Sequence, residues 1–225
     1  MTYNIIGSGS SGNATIVFDN ILIDCGVPFT KIAAYVKEIQ LVLLTHEHGD
    51  HFKPSTVKML HEIRPTVRFA CCTWMAAHLI NAGVDKEHID VLTTNRWYEY
   101  GTDFCISPFK VQHNVPNCGW HIFRRKDTAD FSRLNHYGWE KLFYVTDAST
   151  LEGINAEHYD LYMIECNHRE DEIQARIDAK TAAGEFSYEI AAAQNHLSWE
   201  QAMSWLQENG PEGKFIPMHQ HKDKE

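Results

Sequence analysis

The chain has 225 residues, 44% of them hydrophobic, and a formal net charge of −10 at pH 7. This length and apolar content suffice for one large core, so we predict a single domain over residues 1–225. The sequence has no apolar run of about 18 residues and no leader peptide, which predicts a cytoplasmic protein without membrane contact. The acidic balance argues against a broad polyanion-binding surface, although bound divalent ions would offset it locally. The six cysteines are scattered, as expected of reduced thiols.

Strands and helices alternate along this α/β chain. Short β-branched runs predict strands, and apolar residues at helical spacing predict helices. In the helix at 54–63, Pro54 suits the first turn, and Val57, Leu60 and Ile63 are expected to face inward. The predicted strands are 4–7, 15–18, 21–24, 41–44, 68–70, 104–109, 119–124, 141–145 and 161–165, and the helices are 29–36, 54–63, 73–81, 170–183 and 198–208.

The most informative segment follows the strand predicted at 41–44 and reads Thr45-His46-Glu47-His48-Gly49-Asp50-His51. Neutral imidazole nitrogens and a carboxylate oxygen are ligands that suit Zn²⁺ and related divalent ions. His46 and His48 can share one direction, whereas Asp50 and His51 can serve a neighbouring ion. A histidine-rich loop that binds nothing is the alternative, since the chain has 14 histidines.

This His-x-His-x-Asp-His string after a core strand resembles the metallo-β-lactamase superfamily. The resemblance implies an αββα sandwich of two mixed β-sheets flanked by helices, with further ligands at the ends of later strands. The later matches are His113, Asp147 and His219, with His221 as the alternative to His219. By resemblance, one ion is held by His46, His48 and His113, a second by Asp50, His51 and His219, and Asp147 bridges the two.

The glycine-rich opening, residues 7–13, is similar to the first hairpin of the YycJ/WalJ-like branch, which is related to ribonuclease Z and cyclic phosphodiesterases. It also satisfies Gly-x-Gly-x-x-Gly, but a dinucleotide fingerprint needs a helix to follow, and here β-branched residues and the Asp19-Asn20 turn follow instead. The resemblance places this loop near the metals. It also implies that Asp24 supports the ligands from behind by accepting a free imidazole N–H.

Two later segments also resemble this branch, one around Glu165 and His168 and one from His196 to Ser198. Either histidine can supply the proton that a leaving oxygen needs in phosphate ester hydrolysis. Ser198 can instead cap the following helix, and Glu165 can be purely structural.

These features predict a hydrolase with two divalent ions, Zn²⁺ first and Mn²⁺ or Fe as alternatives. A metal-bridging hydroxide, aimed by Asp50, would attack a phosphodiester. The predicted function is a phosphodiesterase or nuclease, 5′ exonuclease-like. The alternatives are an acyl, thioester or lactone hydrolase on the same fold, and a non-catalytic metal-binding regulatory protein.

One basic and aromatic stretch is a candidate contact for a phosphodiester substrate, including DNA or RNA. It begins with Arg124, Arg125 and Lys126, but Asp127 and Asp130 interrupt it, and a solvated hairpin tip explains it equally well. A homodimer is possible, although no apolar stripe requires it. The downstream members of the stretch are Arg133, His136, Tyr137 and Trp139.

Overall fold

The computed structural model describes residues 1–126, 138–210 and 212–220. The chain forms two compact units, Met1–Arg96 and Trp97–Glu225. Each unit contains one mixed six-stranded sheet with helices, so the prediction of two mixed sheets flanked by helices is confirmed.

The sheet of the first unit has its strands in sequence order. Its first three strands are antiparallel, and the fourth to sixth continue parallel from the third. The last four strands therefore bring their carboxyl ends to one edge, where loops that carry functional groups are usually found. The strands are β1 (Tyr3–Gly7), β2 (Ala14–Val17), β3 (Ile21–Ile23), β4 (Leu41–Leu44), β5 (Arg68–Cys72) and β6 (Ile89–Leu92).

The helices of the first unit cover a core that is made mostly of aliphatic residues from β2 to β5. In the second helix Val57 and Leu60 are buried as predicted, but Ile63 is 56% exposed, and Thr56 and His61 complete the buried face instead. The helices are α1 (Phe29–Ile32), α2 (Pro54–Ile63) and α3 (Thr73–Asn81), and short 3₁₀ turns lie at Ala33–Tyr35 and Lys86–His88.

The sheet of the second unit also has its strands in sequence order. Its first four strands are antiparallel, and the last three lie parallel to one another. Phe143 stacks between Phe109 and Trp205, with ring centroids 5.0 and 4.9 Å away, at the centre of the core. The strands are β7 (Tyr98–Tyr100), β8 (Phe104–Val111), β9 (Asn117–Arg125), β10 (Trp139–Val145), β11 (Leu161–Glu165) and β12 (Lys214–Met218), and the helices are α4 (Glu170–Ala183), α5 (Glu189–Asn195) and α6 (Trp199–Asn209).

Most predicted elements are present, and the differences have local causes. The predicted strands at 15–18 and 21–24 each end one residue early, because Phe18 and Asp24 have φ angles of 54° and 60°. The helix predicted at 29–36 is α-helical only to Ile32 and then tightens into a 3₁₀ turn. The strands β6 and β7 and the helix α5 were not predicted.

None of the helices in the described ranges has the length and apolar character needed to cross a membrane.

Candidate metal centre

The turn after β4 brings two imidazoles of the first unit together. The N–H groups of His51 and Phe52 both donate to the carbonyl oxygen of His48, which closes the turn. Nε2 of His46 then lies 3.1 Å from Nδ1 of His48. Two nitrogens on a tetrahedral zinc ion, each at about 2.0–2.1 Å, are about 3.3–3.4 Å apart. The pair therefore fits two ligands of one ion.

The carboxylate of Asp24 fixes His51. This side chain is fully buried behind the turn and accepts the Nδ1–H of His51 at 2.7 Å and the backbone N–H of Thr45 at 2.9 Å. Burial raises the pKa of Asp24, and the contacts with His51 and Thr45 oppose that rise. The hydrogen bond sets the His51 tautomer and leaves the lone pair on Nε2, the nitrogen that a metal requires.

The glycine-rich loop lies against the same turn. Asn13 donates its backbone N–H to the carbonyl oxygen of Asp50 at 2.6 Å, and its side-chain Nδ2 lies 2.8 Å from Nε2 of His51. Gly26 approaches from the other side, where a Cβ atom would stand 1.7 Å from that same Asp50 oxygen. Asn13 is a site residue whose role was not predicted, and an ion on His51 would replace its amide contact.

In the second unit the buried Glu165, the last residue of β11, anchors two imidazoles. One carboxylate oxygen, Oε1, accepts from Nδ1 of His196 at 2.6 Å and from Nδ1 of His219 at 3.2 Å. The other oxygen accepts the backbone N–H of Ala148 at 2.8 Å. The two rings stack with an interplanar angle of 10°. The short bond places a proton on Nδ1 of His196. Nδ1 of His219 lies 3.2 Å both from Glu165 and from Nδ2 of Asn167, and the contact with the carboxylate favours a proton on Nδ1 there too.

Burial and hydrogen bonding act in opposite directions on this pair. Burial would raise the pKa of Glu165, but the hydrogen bonds from His196 and His219 bring it below its ordinary value. Burial likewise opposes the charged form of His196, but the bond to Glu165 and its negative charge raise the His196 pKa overall.

The carboxylate of Asp147 lies beside these imidazoles. Its Oδ1 is 3.5 Å from Nδ1 of His196, 3.6 Å from Nε2 of His219 and 3.9 Å from Nε2 of His113. His113 donates from Nδ1 to the carbonyl oxygen of Asn195 at 3.1 Å, so its Nε2 also keeps a lone pair. Ligand atoms of Asp147, Glu165, His196 and His219 all lie within 4.8 Å of one another. The unit thus offers a compact set of nitrogen and oxygen donors.

Three of these residues have a left-handed backbone. The φ angles of Asp24, Asp147 and His219 are 60°, 56° and 51°, and each residue stands just beyond the end of a strand. Such a conformation costs a non-glycine residue about 1–3 kcal/mol and needs support from its surroundings. Asn117 gives such support by donating to the carbonyl oxygens of Thr146 and Asp147 at 3.1 and 2.8 Å.

His168 makes no hydrogen bond to this donor set among the described residues, although its ring interacts electrostatically with Glu165 and His196. It pairs with Ser198 in an isolated bridge, and its Nδ1 is buried without a hydrogen-bond partner among the described residues. Burial lowers its pKa. Ser198 caps α6 by accepting the N–H of Gln201 at 3.0 Å, in a capping box, which is the structural role considered for it.

The basic segment lies at the far end of β9 from Asn117. Arg124 forms an ion pair with Glu140, the guanidinium of Arg125 stands 5.3 Å over the ring of Trp139, and the backbone of Lys126 bonds to Gly138. Eight residues of strand separate Asn117 from Arg125, which is about 26 Å. Arg133, His136, Tyr137 and His221 lie outside the described residues.

Residues 19–220 match the family described as the β-lactamase superfamily domain, and the chain belongs to that family. Two solved structures share its fold. The metallo-β-lactamase fold protein YhfI from Bacillus subtilis has a TM-score of 0.69 at 19% identity and covers 99% of this chain and 87% of its own. The short form of human tRNase Z has a TM-score of 0.68 at 14% identity, and the match covers 99% of this chain and 93% of the tRNase Z chain. The predicted metallo-β-lactamase fold is confirmed.

Among individual proteins, the chain is 29% identical over 178 residues to the exodeoxyribonuclease WalJ of Streptococcus pneumoniae. The alignment covers 74% of this chain and 62% of that relative, so the chain spans less than two thirds of the curated relatives it matches. This similarity confirms the predicted WalJ-like branch.

Proposed function

We propose that this protein is a dinuclear-metal phosphodiesterase that acts on nucleic acid as an exonuclease. The observation that carries the proposal is His196, an imidazole beyond the ligand set that the superfamily resemblance implies. Its ring is anchored on Glu165 and lies beside Asp147. Hydrolysis of a phosphodiester uses such a group to protonate the leaving oxygen. The similarity to an exodeoxyribonuclease supports the same reaction class.

The proposed ligands are those that the sequence resemblance implies, and the donor atoms in each unit fit divalent ions. Nε2 of His46 and Nδ1 of His48 are 3.1 Å apart, close to the distance between two ligand atoms of one tetrahedral ion. His51, His113 and His219 each have Nδ1 held by an oxygen, which leaves Nε2 for an ion. Zinc is proposed as the resident ion because imidazole and carboxylate suit it, with Mn²⁺ and Fe as the alternatives. Bound divalent ions supply charge at the nonbridging phosphate oxygens and lower the pKa of a coordinated water.

Protein side chains would orient the attacking water and protonate the leaving oxygen. The Asp50 side chain is 23% exposed, and it would accept a hydrogen bond from the attacking water and orient it. As the charged imidazolium, which the raised pKa of His196 favours, this ring would carry a second proton at Nε2 for the leaving oxygen, while Glu165 keeps the Nδ1–H in place and compensates the charge. His168 is the second candidate for this acid, although no hydrogen bond joins its ring to Glu165 or Asp147 among the described residues.

The basic segment Arg124–Lys126 can contact only a long substrate that is also bound at the candidate metal centre. Arg124, Arg125 and Lys126 lie about 26 Å along β9 from the strand end that supports Asp147. A small phosphodiester cannot reach both ends, but a nucleic-acid strand of about eight nucleotides can, at about 3.4 Å per nucleotide. The Arg125→Ala variant should therefore raise KM for a long single strand and leave a small phosphodiester unaffected.

The first experiment compares bis-p-nitrophenyl phosphate, a thioester and a lactone as substrates of wild type, Asp50→Ala and His196→Asn. The exposed His158 serves as the matched control, as His158→Asn. We expect turnover of the phosphodiester alone, lost with Asp50→Ala and reduced at least about 100-fold with His196→Asn. Hydrolysis of the thioester or lactone alone would refute the phosphodiesterase proposal.

The finer parts of the proposal need separate measurements. Degradation of 5′-labelled DNA and RNA distinguishes the two polymers and tests the 5′ exonuclease assignment. Metal analysis of the purified protein identifies the ion, and sedimentation equilibrium determines whether the protein is a monomer or a homodimer. The cytoplasmic location stays a prediction from the sequence.

A further inference from the structure

A second group of metal-ligating side chains lies in the first unit, outside the ligands assigned above. It consists of His61 in the last turn of α2, and Asp85 and His88 around the 3₁₀ turn at Lys86–His88. Candidate ligand atoms of the three residues all lie within 4.8 Å of one another. In a 3₁₀ turn, side chains three residues apart are eclipsed, so Asp85 and His88 share one side of the turn. The hydrogen bond from the N–H of His88 to the carbonyl oxygen of Asp85, 2.9 Å long, fixes this arrangement.

The hydrogen bonding of His61 is not satisfied by its neighbours. Its Nε2 lies 3.3 Å from Oδ2 of Asp85 and 3.4 Å from the backbone nitrogen of the same residue. One contact requires a proton on Nε2 and the other requires a lone pair, so neither neutral tautomer serves both. Both distances also exceed those of ordinary N–H···O bonds, about 2.7–3.2 Å. The 3.3 Å between Nε2 of His61 and Oδ2 of Asp85 does equal the distance between two ligand atoms of one tetrahedral zinc ion, about 3.3–3.4 Å.

The imidazole of His88 completes the group. Its ring centroid is 5.1 Å from that of His61, and the Nδ1 atoms of both rings are buried without a hydrogen-bond partner among the described residues. His61 is only 8% exposed, and Phe69 packs on it at 6.1 Å in an edge arrangement, which holds the ring in place. A buried imidazole nitrogen without a partner carries a free-energy cost, and coordination of an ion through Nδ1 of His88 would remove that cost at this ring.

We propose that His61, Asp85 and His88 bind one divalent transition-metal ion, with Zn²⁺ preferred. Two imidazoles and one carboxylate favour zinc and its neighbours over Ca²⁺ or Mg²⁺, which prefer oxygen ligands. The exposed position of Asp85 leaves room for water as a fourth ligand. The site ties the carboxyl end of α2 to the connection between α3 and β6. His61 lies about 11 Å along α2 from Pro54, the first residue of the helix, which follows the turn that holds His51.

The test uses Asp85→Asn and His88→Gln, because neither position is fully buried, together with His158→Asn as the control. Each full-length protein is stripped with EDTA, equilibrated with limiting to excess Zn²⁺, and analysed for bound zinc per chain. We expect both cluster variants to bind one ion fewer than wild type and the control. The difference does not depend on how many ions bind elsewhere, because all proteins retain those ligands.

A second measurement guards against misfolding of the variants. Circular dichroism and thermal unfolding in EDTA should show the same fold and the same Tm for wild type and variants. On addition of Zn²⁺, the rise in Tm should be smaller in Asp85→Asn and His88→Gln than in wild type, since part of the ligand-linked stabilisation is lost. Equal zinc content in wild type and both folded variants would overturn the proposal, whatever the phosphodiesterase assays show.

Discussion

Replacing Glu165 with glutamine tests whether its carboxylate sets the tautomers of two imidazoles. In the native protein one oxygen accepts from His196 and His219, and the other accepts backbone N–H groups, including that of Ala148. An amide has only one acceptor oxygen. If its NH₂ group faces the imidazoles, both must change tautomer to accept from it. If the NH₂ group faces Ala148 instead, two donors meet.

The magnitude follows from the bonds that are lost. Hydrogen bonds to a charged group contribute about 1.5–3 kcal/mol each, so we expect Glu165→Gln to lower the free energy of unfolding by about 2–4 kcal/mol. A tautomer change at His219 moves the proton to Nε2 and removes the lone pair that an ion needs. Loss of a carboxylate behind a ligating imidazole typically lowers metal affinity about 10–100-fold, and we expect a loss of that size here.

Urea unfolding in EDTA measures the stability effect without metal, and competition with a chromogenic zinc chelator measures the affinity. Glu208→Gln is the matched control, because Glu208 is exposed on α6. An unfolding free energy within about 0.5 kcal/mol of wild type, with zinc affinity unchanged within about twofold, would refute the role assigned to Glu165.

Three further changes test other parts of the protein. Gly26→Ala places a Cβ atom 1.7 Å from the carbonyl oxygen of Asp50. We expect chemical denaturation to show a loss of at least about 2 kcal/mol in the free energy of unfolding, together with weaker zinc binding. Unchanged values of both would contradict the close approach. Asp24→Asn removes a buried charged acceptor, and we expect zinc affinity to fall about 10–100-fold in chelator competition; wild-type affinity would show that the tautomer is set otherwise. Burial lowers the pKa of His121 from 6.5 to about 4, so the unfolded state takes up a proton first as pH falls through this interval, and stability falls by up to about 3 kcal/mol. Unfolding in EDTA should show this loss in wild type and in His158→Asn but not in His121→Phe, and parallel pH profiles for all three would contradict it.

Much of the fold follows from local sequence patterns. The helices at 54–63, 73–81 and 170–183 and the strand at 161–165 have the predicted bounds; Pro54 begins the first helix, and Gly184, with a φ angle of 70°, ends the third. The elements that were missed, β6, β7 and α5, have four, three and seven residues. β3 and β4 are as short, but all their residues are buried, whereas β6, β7 and α5 each have at most one buried residue. The missed elements therefore lack the apolar pattern that a local prediction reads.

The candidate site divides in a similar way. The metal-ligand string after β4 is recognisable because its residues are close in sequence. The roles of Asn13 and Asn117 were not predictable, since each contacts residues about 30 or more positions away: Asn13 reaches Asp50 and His51, and Asn117 reaches Asp147. Asparagine is common in turns and strand ends for purely local reasons, so its type alone gave no signal.

The backbone strain at Asp24, Asp147 and His219 explains a further limit of sequence reasoning. Glycine would adopt these left-handed conformations without cost, whereas each of these residues carries about 1–3 kcal/mol of strain. A sequence rule that looks for glycine at such turns therefore finds nothing at all three positions. Glycine has no carboxylate or imidazole, and at Asp24 the buried hydrogen bonds that offset the strain form only when the carboxylate is present. Phe18, Asp19, Asn95 and His158 also have positive φ angles. The left-handed backbone therefore supports a functional role for Asp24, Asp147 and His219 only together with the donor atoms and hydrogen bonds at those residues.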